Sequence, residues 1–318
     1  MQRLHSHLMK KHLLVSFLFL LLLPSITEAQ RVRARWKAYR YEWSFGIGAS
    51  NFLGDLGGAN QIGTHGLKDL EVAKTRPSLA AGFRYKLNPF LALHSHFTFG
   101  AVAGDDKLTT ETFRSNRNLN FKTNIYELNL NLEASLLSQK EGGIYRLKGV
   151  KRSSSFEAAL YAFAGIGVFH FNPKGKSPID GKWYELQPLG TEGQGLSPAR
   201  KKYNRTQICI PLGIGGRYFF NRRWGFGFEI GIRKTFTDYI DDVSKTYYDN
   251  SALAQAHGIN GAILADPSGY TTKEGGPLPG ATNAGEQRGD PRYKDSYMFA
   301  IFSLHYKIRT GRTNFPIF

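Results

Sequence analysis

Hydrophobic and polar residues alternate at period two along several stretches of the chain, each about ten residues long or longer. In the clearest stretch, residues 41–52, Tyr41, Trp43 and Phe45 share one face of an extended strand, and Glu42 lies on the other face. A tilted β-strand needs about ten residues to cross a bilayer. The pattern therefore predicts membrane-spanning β-strands.

The same alternation predicts eight strands, at residues 41–52, 77–87, 91–101, 119–136, 156–171, 207–220, 224–233 and 296–308. Two of these strands are irregular. In the fourth, the apolar positions shift by one residue after Ile125, which predicts a one-residue β-bulge there. In the fifth, large apolar side chains occur on both faces, so the pattern leaves open which face meets lipid.

The connections predict the topology. They are long after the first, third, fifth and seventh strands, and shorter after the second, fourth and sixth. Bacterial outer-membrane barrels show this asymmetry, with long external loops, short periplasmic turns and both termini in the periplasm. We therefore predict an all-β fold: an eight-stranded antiparallel up-and-down transmembrane β-barrel over residues 41–308, followed by a C-terminal tail over 309–318.

A barrel of this size is filled by its own side chains. Six charged residues lie on the predicted inner faces, where ion pairs would satisfy them: Arg84, Glu127, Glu133, Arg217, Glu229 and Arg233.

The N-terminus predicts export. A basic segment precedes an apolar run over residues 13–23, interrupted only by Ser16, which is too short to span a membrane, and small residues follow up to Ala29. We predict a signal peptide over residues 1–29, a basic periplasmic segment over 30–40, and an outer-membrane location.

Charge narrows the classes of partner. Loss of residues 1–29 leaves 39 of the 42 basic and 24 of the 25 acidic residues, a net charge of +15. This charge suits anionic outer-membrane lipid and lipopolysaccharide. An exported chain without a nucleic-acid-binding motif is not expected to bind nucleic acid. The single cysteine, Cys209, excludes an intramolecular disulfide.

Candidate chemistry is sparse. His94 and His96 share one strand face and could hold a metal ion, but no third ligand stands at a suitable spacing, so we predict no metal site. Asp238, Asp241 and Asp242 could bind calcium, although a turn held by carboxylate hydrogen bonds is favoured. We predict no cofactor and no catalytic residues, since no nucleophile motif is present.

Five separated segments resemble the PorG family of outer-membrane barrels: NFLGDLG (51–57), GDD (104–106), HFNP (170–173), TEGQG (191–195) and TFTDYIDDVS (235–244). We call them the rim motifs, because most fall where a strand passes into a long loop. The resemblance covers nearly all of the exported chain. It implies a non-enzymatic component of the type IX protein secretion system that associates with the periplasmic ring formed by PorK and PorN. It implies no catalytic residues.

A positively charged surface is predicted on the periplasmic side. We call it the basic rim; its candidate contact residues are Arg31, Arg33, Arg35, Lys148, Lys151, Arg152, Arg222 and Arg223. The hypothesis is that this surface docks an acidic patch of the ring. Alternatively, these charges only offset anionic headgroups. Two other functions stay open, a lipid-modifying barrel enzyme and a small adhesin-like surface-binding barrel.

Overall fold

A computed structural model describes residues 36–54, 56, 74–108, 111–136, 157–270 and 276–310. The signal peptide predicted over residues 1–29 lies outside these residues, as does most of the predicted tail. Within the described residues, no helix combines the length and the apolar character needed to cross a membrane.

The described residues form ten strands: β1 (Tyr41–Leu53), β2 (Arg76–Lys86), β3 (Leu91–Asp105), β4 (Asn120–Ser135), β5 (Glu157–Phe171), β6 (Lys174–Lys176), β7 (Trp183–Glu185), β8 (Thr206–Phe219), β9 (Trp224–Thr235) and β10 (Ser296–Ile308). Eight of them pair with their neighbours in antiparallel fashion, and β10 pairs with β1, which closes a barrel. The short strands β6 and β7 form a hairpin beside β4. The predicted eight-stranded barrel is confirmed.

Among the described residues, the connections contain three α-helices: α1 (Thr112–Arg117), α2 (Leu186–Leu189) and α3 (Asn250–Ala265). The Glu111 carboxylate accepts hydrogen bonds from two backbone amides at the start of α1, and the Asp249 carboxylate does the same for α3. α3 is kinked at Gly258, where φ is +73°. These helices belong to the loop end of the barrel, at the opposite end from the β2–β3 and β8–β9 turns.

The outer surface of the barrel carries an apolar belt. Large apolar side chains point outward and are exposed on successive strands, including Phe45, Ile47, Leu128, Ile214 and Phe228. Aromatic pairs border this belt at the turn end: the rings of Tyr41 and Tyr85 are 5.3 Å apart, and those of Trp224 and Tyr306 are 4.7 Å apart. An apolar belt bordered by aromatic side chains on a closed barrel is typical of a transmembrane β-barrel.

The predicted bulge at Ile125 is absent, so this prediction was wrong. The pairing of β4 with β3 runs without interruption through Gly100↔Ile125 and Phe99↔Tyr126, and every second residue of β4 points inward. The shift in the apolar pattern has another cause. Near the loop end, β4 extends beyond the belt, and there Lys122 faces outward while Phe121 packs inside. From Tyr126 towards the turn end, the outward residues are apolar and the inward residues are polar.

The structure also decides the orientation of β5. Tyr161, Phe163 and Phe169 point inward and are buried, whereas Leu160 and Ile166 are exposed on the belt. Apolar side chains occupy both faces of β5 because its inward aromatic residues fill the lumen instead of meeting lipid.

The predicted alternation of loop lengths fails at one pair. The external connection between β3 and β4, residues 106–119, is shorter than the connection between β4 and β5, residues 136–156. The strand order nevertheless puts the β1–β2, β3–β4, β5–β8 and β9–β10 connections at one end of the barrel.

If the pattern shift in β4 marks the edge of the belt, the cost of an outward charge on this strand should depend on its depth in the membrane. Leu130→Arg puts a charge in the middle of the belt and should destabilise the folded barrel by about 2–4 kcal/mol, whereas Asn124→Arg, above the belt on the same face, should cost about 1 kcal/mol or less. Urea unfolding in lipid vesicles measures both. Equal costs would show that the belt does not end near Tyr126.

Candidate functional site

The lumen near the turn end is filled by one network of ion pairs. Arg84 contacts Glu42 and donates a hydrogen bond of 2.8 Å to Glu133. Arg217 donates to the other oxygen of Glu133, also at 2.8 Å. His305 Nδ1 lies 2.8 Å from Glu42 Oε1, so the network joins residues from β1, β2, β4, β8 and β10. All of these side chains are buried, and their mutual pairing offsets the cost of removing their charges from water.

A second group of polar side chains lies nearer the loop end. Arg233 Nε donates to both oxygens of Glu127 at 3.2 Å, and the Tyr297 hydroxyl donates to Glu127 at 2.8 Å. Between the two groups, the Tyr161 hydroxyl donates to Glu229, and Arg84 Nη2 lies 3.7 Å from the same carboxylate. The Arg217 guanidinium of the first network lies 4.1 Å from the centre of the Tyr161 ring. The prediction that the six inward charges form ion pairs is confirmed.

Two Ser–His–Glu arrangements occur inside the lumen, and sequence spacing had revealed neither. Ser44 Oγ lies 3.1 Å from His94 Nε2, and His94 Nδ1 contacts Glu133. Ser303 Oγ lies 2.7 Å from His305 Nε2, and the other ring nitrogen of His305, Nδ1, lies 2.8 Å from Glu42 Oε1. An enzyme acting on membrane lipid would need such a group at the outer rim. Both arrangements are instead buried among the ion pairs of the turn end.

His94 and His96 remain neighbours on the inner face of β3, as the spacing predicted, and their rings are 3.6 Å apart. The structure adds a third possible ligand that spacing did not reveal. Glu229 reaches them from β9, and one ligand atom from each of the three residues lies within 4.8 Å of the others. All three residues are buried.

The loop end of the barrel is closed by a folded cap, which we define as the described parts of the four long connections. The apolar core beneath the cap combines inward-facing strand residues, Phe121, Phe171 and Tyr297, with Tyr203 and Val243 of the connections. The lumen is therefore polar within the belt and apolar beneath the cap.

Rim motifs meet one another in this cap. The Leu56 amide donates to Asp241 Oδ2 at 3.1 Å, which joins the first motif to the fifth. A Cβ at Gly104 would lie 2.3 Å from the Leu56 carbonyl oxygen, so the second motif approaches the first as closely as only glycine allows. The Glu192 carboxylate accepts from the Ser244 amide at 2.8 Å, which joins the fourth motif to the fifth.

Asp238, Asp241 and Asp242 form a hydrogen-bonded turn. Asp241 accepts from the Val243 amide at 2.9 Å, and Asp238 accepts from the Ser244 hydroxyl at 2.7 Å. Asp242, at a φ of +67°, accepts from the hydroxyls of Thr191 and Tyr203. These contacts favour the turn over the calcium site, as the sequence analysis did.

Arg288 connects the parts of the cap. Its guanidinium donates to Glu192 at 3.1 Å, to the Asp242 carbonyl oxygen at 2.6 Å and to the Ala265 carbonyl oxygen at 3.2 Å. The Arg288 carbonyl oxygen accepts from Arg117 at 2.6 Å, and Arg117 also forms a two-pronged ion pair with Asp106 of the second motif. No sequence pattern indicated this role, because Arg288 lies in a polar stretch without periodicity.

Only part of the basic rim falls within the described residues. Arg222 and Arg223 are exposed at the β8–β9 turn, where Asn221 Oδ1 accepts hydrogen bonds from the amides of Arg223 and Trp224 at 2.8 and 2.7 Å. The other six candidates, Arg31, Arg33, Arg35, Lys148, Lys151 and Arg152, lie outside the described residues. Their part in a contact surface therefore stays a prediction.

Comparison with models of known protein families identifies the family of this chain. Residues 14–260 match a family model described as a domain of unknown function, DUF6089. The chain belongs to the DUF6089 family. No curated protein matches this DUF6089 chain.

Several solved barrels are similar to it in fold. The Yersinia pestis attachment invasion locus protein Ail, crystallised with the heparin analogue sucrose octasulfate, is 10% identical, with a TM-score of 0.36 and coverage of 85% of this chain and 98% of Ail. Neisserial surface protein A is 8% identical (TM-score 0.33; 84% and 96% covered), and a major outer membrane protein from Thermus thermophilus is 11% identical (0.35; 84% and 99%). Likenesses this distant carry no functional argument.

The environment of the Asp242 side chain predicts that the stability of the cap depends on pH. Burial raises the pKa of Asp242 from 3.8 to about 6, against the opposing effects of Arg288 and of the hydrogen bonds from Thr191 and Tyr203. Between about pH 4 and pH 6 the folded protein therefore keeps a proton that the unfolded chain has lost, so stability falls as the pH rises, by up to about 1.4 kcal/mol per pH unit.

Asp242→Asn should flatten this dependence, because the side chain no longer titrates. Protease resistance of the cap in urea, measured from pH 4 to pH 7, checks this, with the exposed Glu286→Gln as the control that should keep the wild-type slope. An unchanged slope in Asp242→Asn would assign the pH dependence to another group.

Removal of the Arg288 side chain should strongly destabilise the cap. Arg288→Ala leaves the buried Glu192 carboxylate without its cation and should cost about 3–5 kcal/mol. Arg292→Ala is the matched control: its side chain is 78% exposed in its pair with Asp290, and its removal should leave the protection of the cap almost unchanged. Hydrogen exchange of the cap amides measures both, and similar protection in the two variants would contradict the connecting role of Arg288.

Proposed function

We propose that this DUF6089 protein is a non-enzymatic outer-membrane component of the type IX protein secretion system, and that its turn end associates with the periplasmic ring formed by PorK and PorN. The apolar belt on a closed barrel supports an outer-membrane location, since this architecture suits that membrane.

The observation that carries the proposal is the arrangement of the rim motifs. The family resemblance rests on five short segments distributed from residue 51 to residue 244. Direct contacts join four of these segments in the cap, through Leu56 with Asp241, Gly104 with Leu56, and Glu192 with Ser244. Because these segments contact one another in one folded unit, their resemblance to the PorG family supports a shared fold of the cap better than separate matches of unconnected segments would.

The filled lumen supports a structural role. Arg84, Glu133 and Arg217 pair across the barrel, and Tyr161 fills the space beside them. A solute crossing here would have to separate buried ion pairs, which costs several kcal/mol for each uncompensated charge. The arrangement suits a membrane anchor for a secretion assembly better than it suits a diffusion channel.

The turn end supplies positive charge for docking. The exposed Arg222 and Arg223 stand at the β8–β9 turn, and the predicted basic rim adds the β4–β5 connection and the N-terminal segment. Positive charge at one end of a barrel would accelerate encounter with an acidic partner surface and orient the barrel on it.

Charge reversal tests this docking. The variants are a triple reversal, Lys148→Glu, Lys151→Glu and Arg152→Glu, and a double reversal, Arg222→Glu and Arg223→Glu. Each should reduce recovery of the PorK and PorN ring from detergent-solubilised outer membranes by about tenfold, equivalent to roughly 1.4 kcal/mol. The readout is the amount of both ring proteins that co-purifies with equal amounts of the barrel.

The matched control reverses two adjacent exposed lysines of the cap, Lys201→Glu and Lys202→Glu, at the opposite end of the barrel. It should leave recovery unchanged. Unchanged recovery with both rim variants would overturn docking by the basic rim, and absence of both ring proteins from the wild-type sample would overturn the secretion role.

A further inference from the structure

His94, His96 and Glu229 approach one another from opposite walls of the barrel. The histidines lie on β3 and the glutamate on β9, and three strands separate β3 from β9 in either direction around the barrel. The three side chains are buried and lie near the barrel axis. Such a meeting of two imidazoles and a carboxylate is the type of ligand set that binds a transition metal.

The distances between the ligand atoms suit one shared ion. His96 Nδ1 lies 3.8 Å from Glu229 Oε2. This separation is too long for a hydrogen bond. It is short enough for an ion that stands about 2.0–2.2 Å from a nitrogen and from an oxygen ligand.

Neighbouring side chains orient the first histidine. Glu133 Oε1 lies 2.5 Å from His94 Nδ1, and Arg84 Nη2 lies 3.1 Å from the same nitrogen, so Nδ1 is held by the ion pairs of the lumen. His94 Nε2 is the nitrogen left to meet an ion, as His96 Nδ1 is in the second ring, because His96 Nε2 lies at hydrogen-bond distance, 2.6 Å, from His94 Nε2. Carboxylate–histidine–metal sites use this same arrangement to fix the ring.

The surrounding groups support both carboxylates. Arg84 and Arg217 each donate to Glu133 at 2.8 Å, which holds it beside His94. The Tyr161 hydroxyl donates to Glu229. The backbone also leaves room: a Cβ at Gly82 would lie 2.7 Å from His94 Nε2 and 2.9 Å from His96 Cδ2, so only glycine accommodates the pair of rings.

We propose that His94, His96 and Glu229 bind one divalent transition-metal ion of the Zn²⁺ class and that this ion cross-links β3 to β9 inside the barrel. The ion is structural, because the site is enclosed by the ion pairs of the lumen. The proposal is independent of the secretion role, since it concerns the barrel alone.

Metal retention tests the proposal. Untagged full-length protein is refolded from urea into detergent micelles with ZnCl₂, passed through a desalting column, and analysed for zinc by mass spectrometry. The wild type should keep about one ion per chain. His96→Asn and Glu229→Gln should each lose most of it, and His170→Asn, which removes an exposed histidine outside the cluster, should keep it.

Because Glu229→Gln also disturbs Tyr161 and could impair folding, a second measurement uses the wild type alone. Refolding with Co²⁺ should give the visible absorption of a bound ion with nitrogen and oxygen ligands, and added Zn²⁺ should abolish it. Wild-type protein that keeps no zinc, or zinc retention that is equal in wild type and His96→Asn, would overturn the site.

Discussion

Closure of the barrel by the pairing of β10 with β1 is the constraint on which the rest of this structure depends. The two strands pair over their full length, from Tyr41↔Ile308 to Leu53↔Ser296. Inside a bilayer no water is available to satisfy a free strand edge, so every backbone donor and acceptor of the belt needs a partner in the chain. Eight strands provide that closure, and they enclose a lumen so narrow that side chains must fill it.

The charges of the lumen follow from this closure. A strand that was apolar on both faces would have no preferred register, because a slip by one residue would still put apolar groups against lipid. Inward charges remove this ambiguity, since Arg84 and Glu133 facing lipid would be costly. Within the lumen they pair with each other, as Arg84 does with Glu42 and Glu133. Opposite walls of the barrel are joined by contacts such as that of Tyr297 on β10 with Glu127 on β4. The same enclosure brings His94, His96 and Glu229 together.

The cap reverses the polarity of the barrel where the strands leave the belt. Phe121 and Phe171 point inward to an apolar core, while Lys122 faces outward. Buried ion pairs such as that of Arg288 with Glu192 then connect the long loops above this core. Within the membrane, apolar side chains therefore point outward to lipid, whereas above the membrane they point inward to the core of the cap. Strand β4 passes from one region to the other without a break in its hydrogen bonds to β3.

Period-two alternation along the sequence determined the eight strands, their approximate bounds and the inward position of charges such as Glu127 and Arg233, because one face of each strand had to be apolar. The aspartate cluster separately favoured the turn formed by Asp238, Asp241 and Asp242, because such carboxylates accept hydrogen bonds from nearby backbone amides. The pattern could not show whether the shift after Ile125 was a bulge or a change of surroundings, since both give the same order of residues. Only the tertiary structure decided this, and only it brought Glu229 to His94 and Arg288 to Glu192, because contacts across a closed barrel and between distant loops depend on registers that local periodicity does not record.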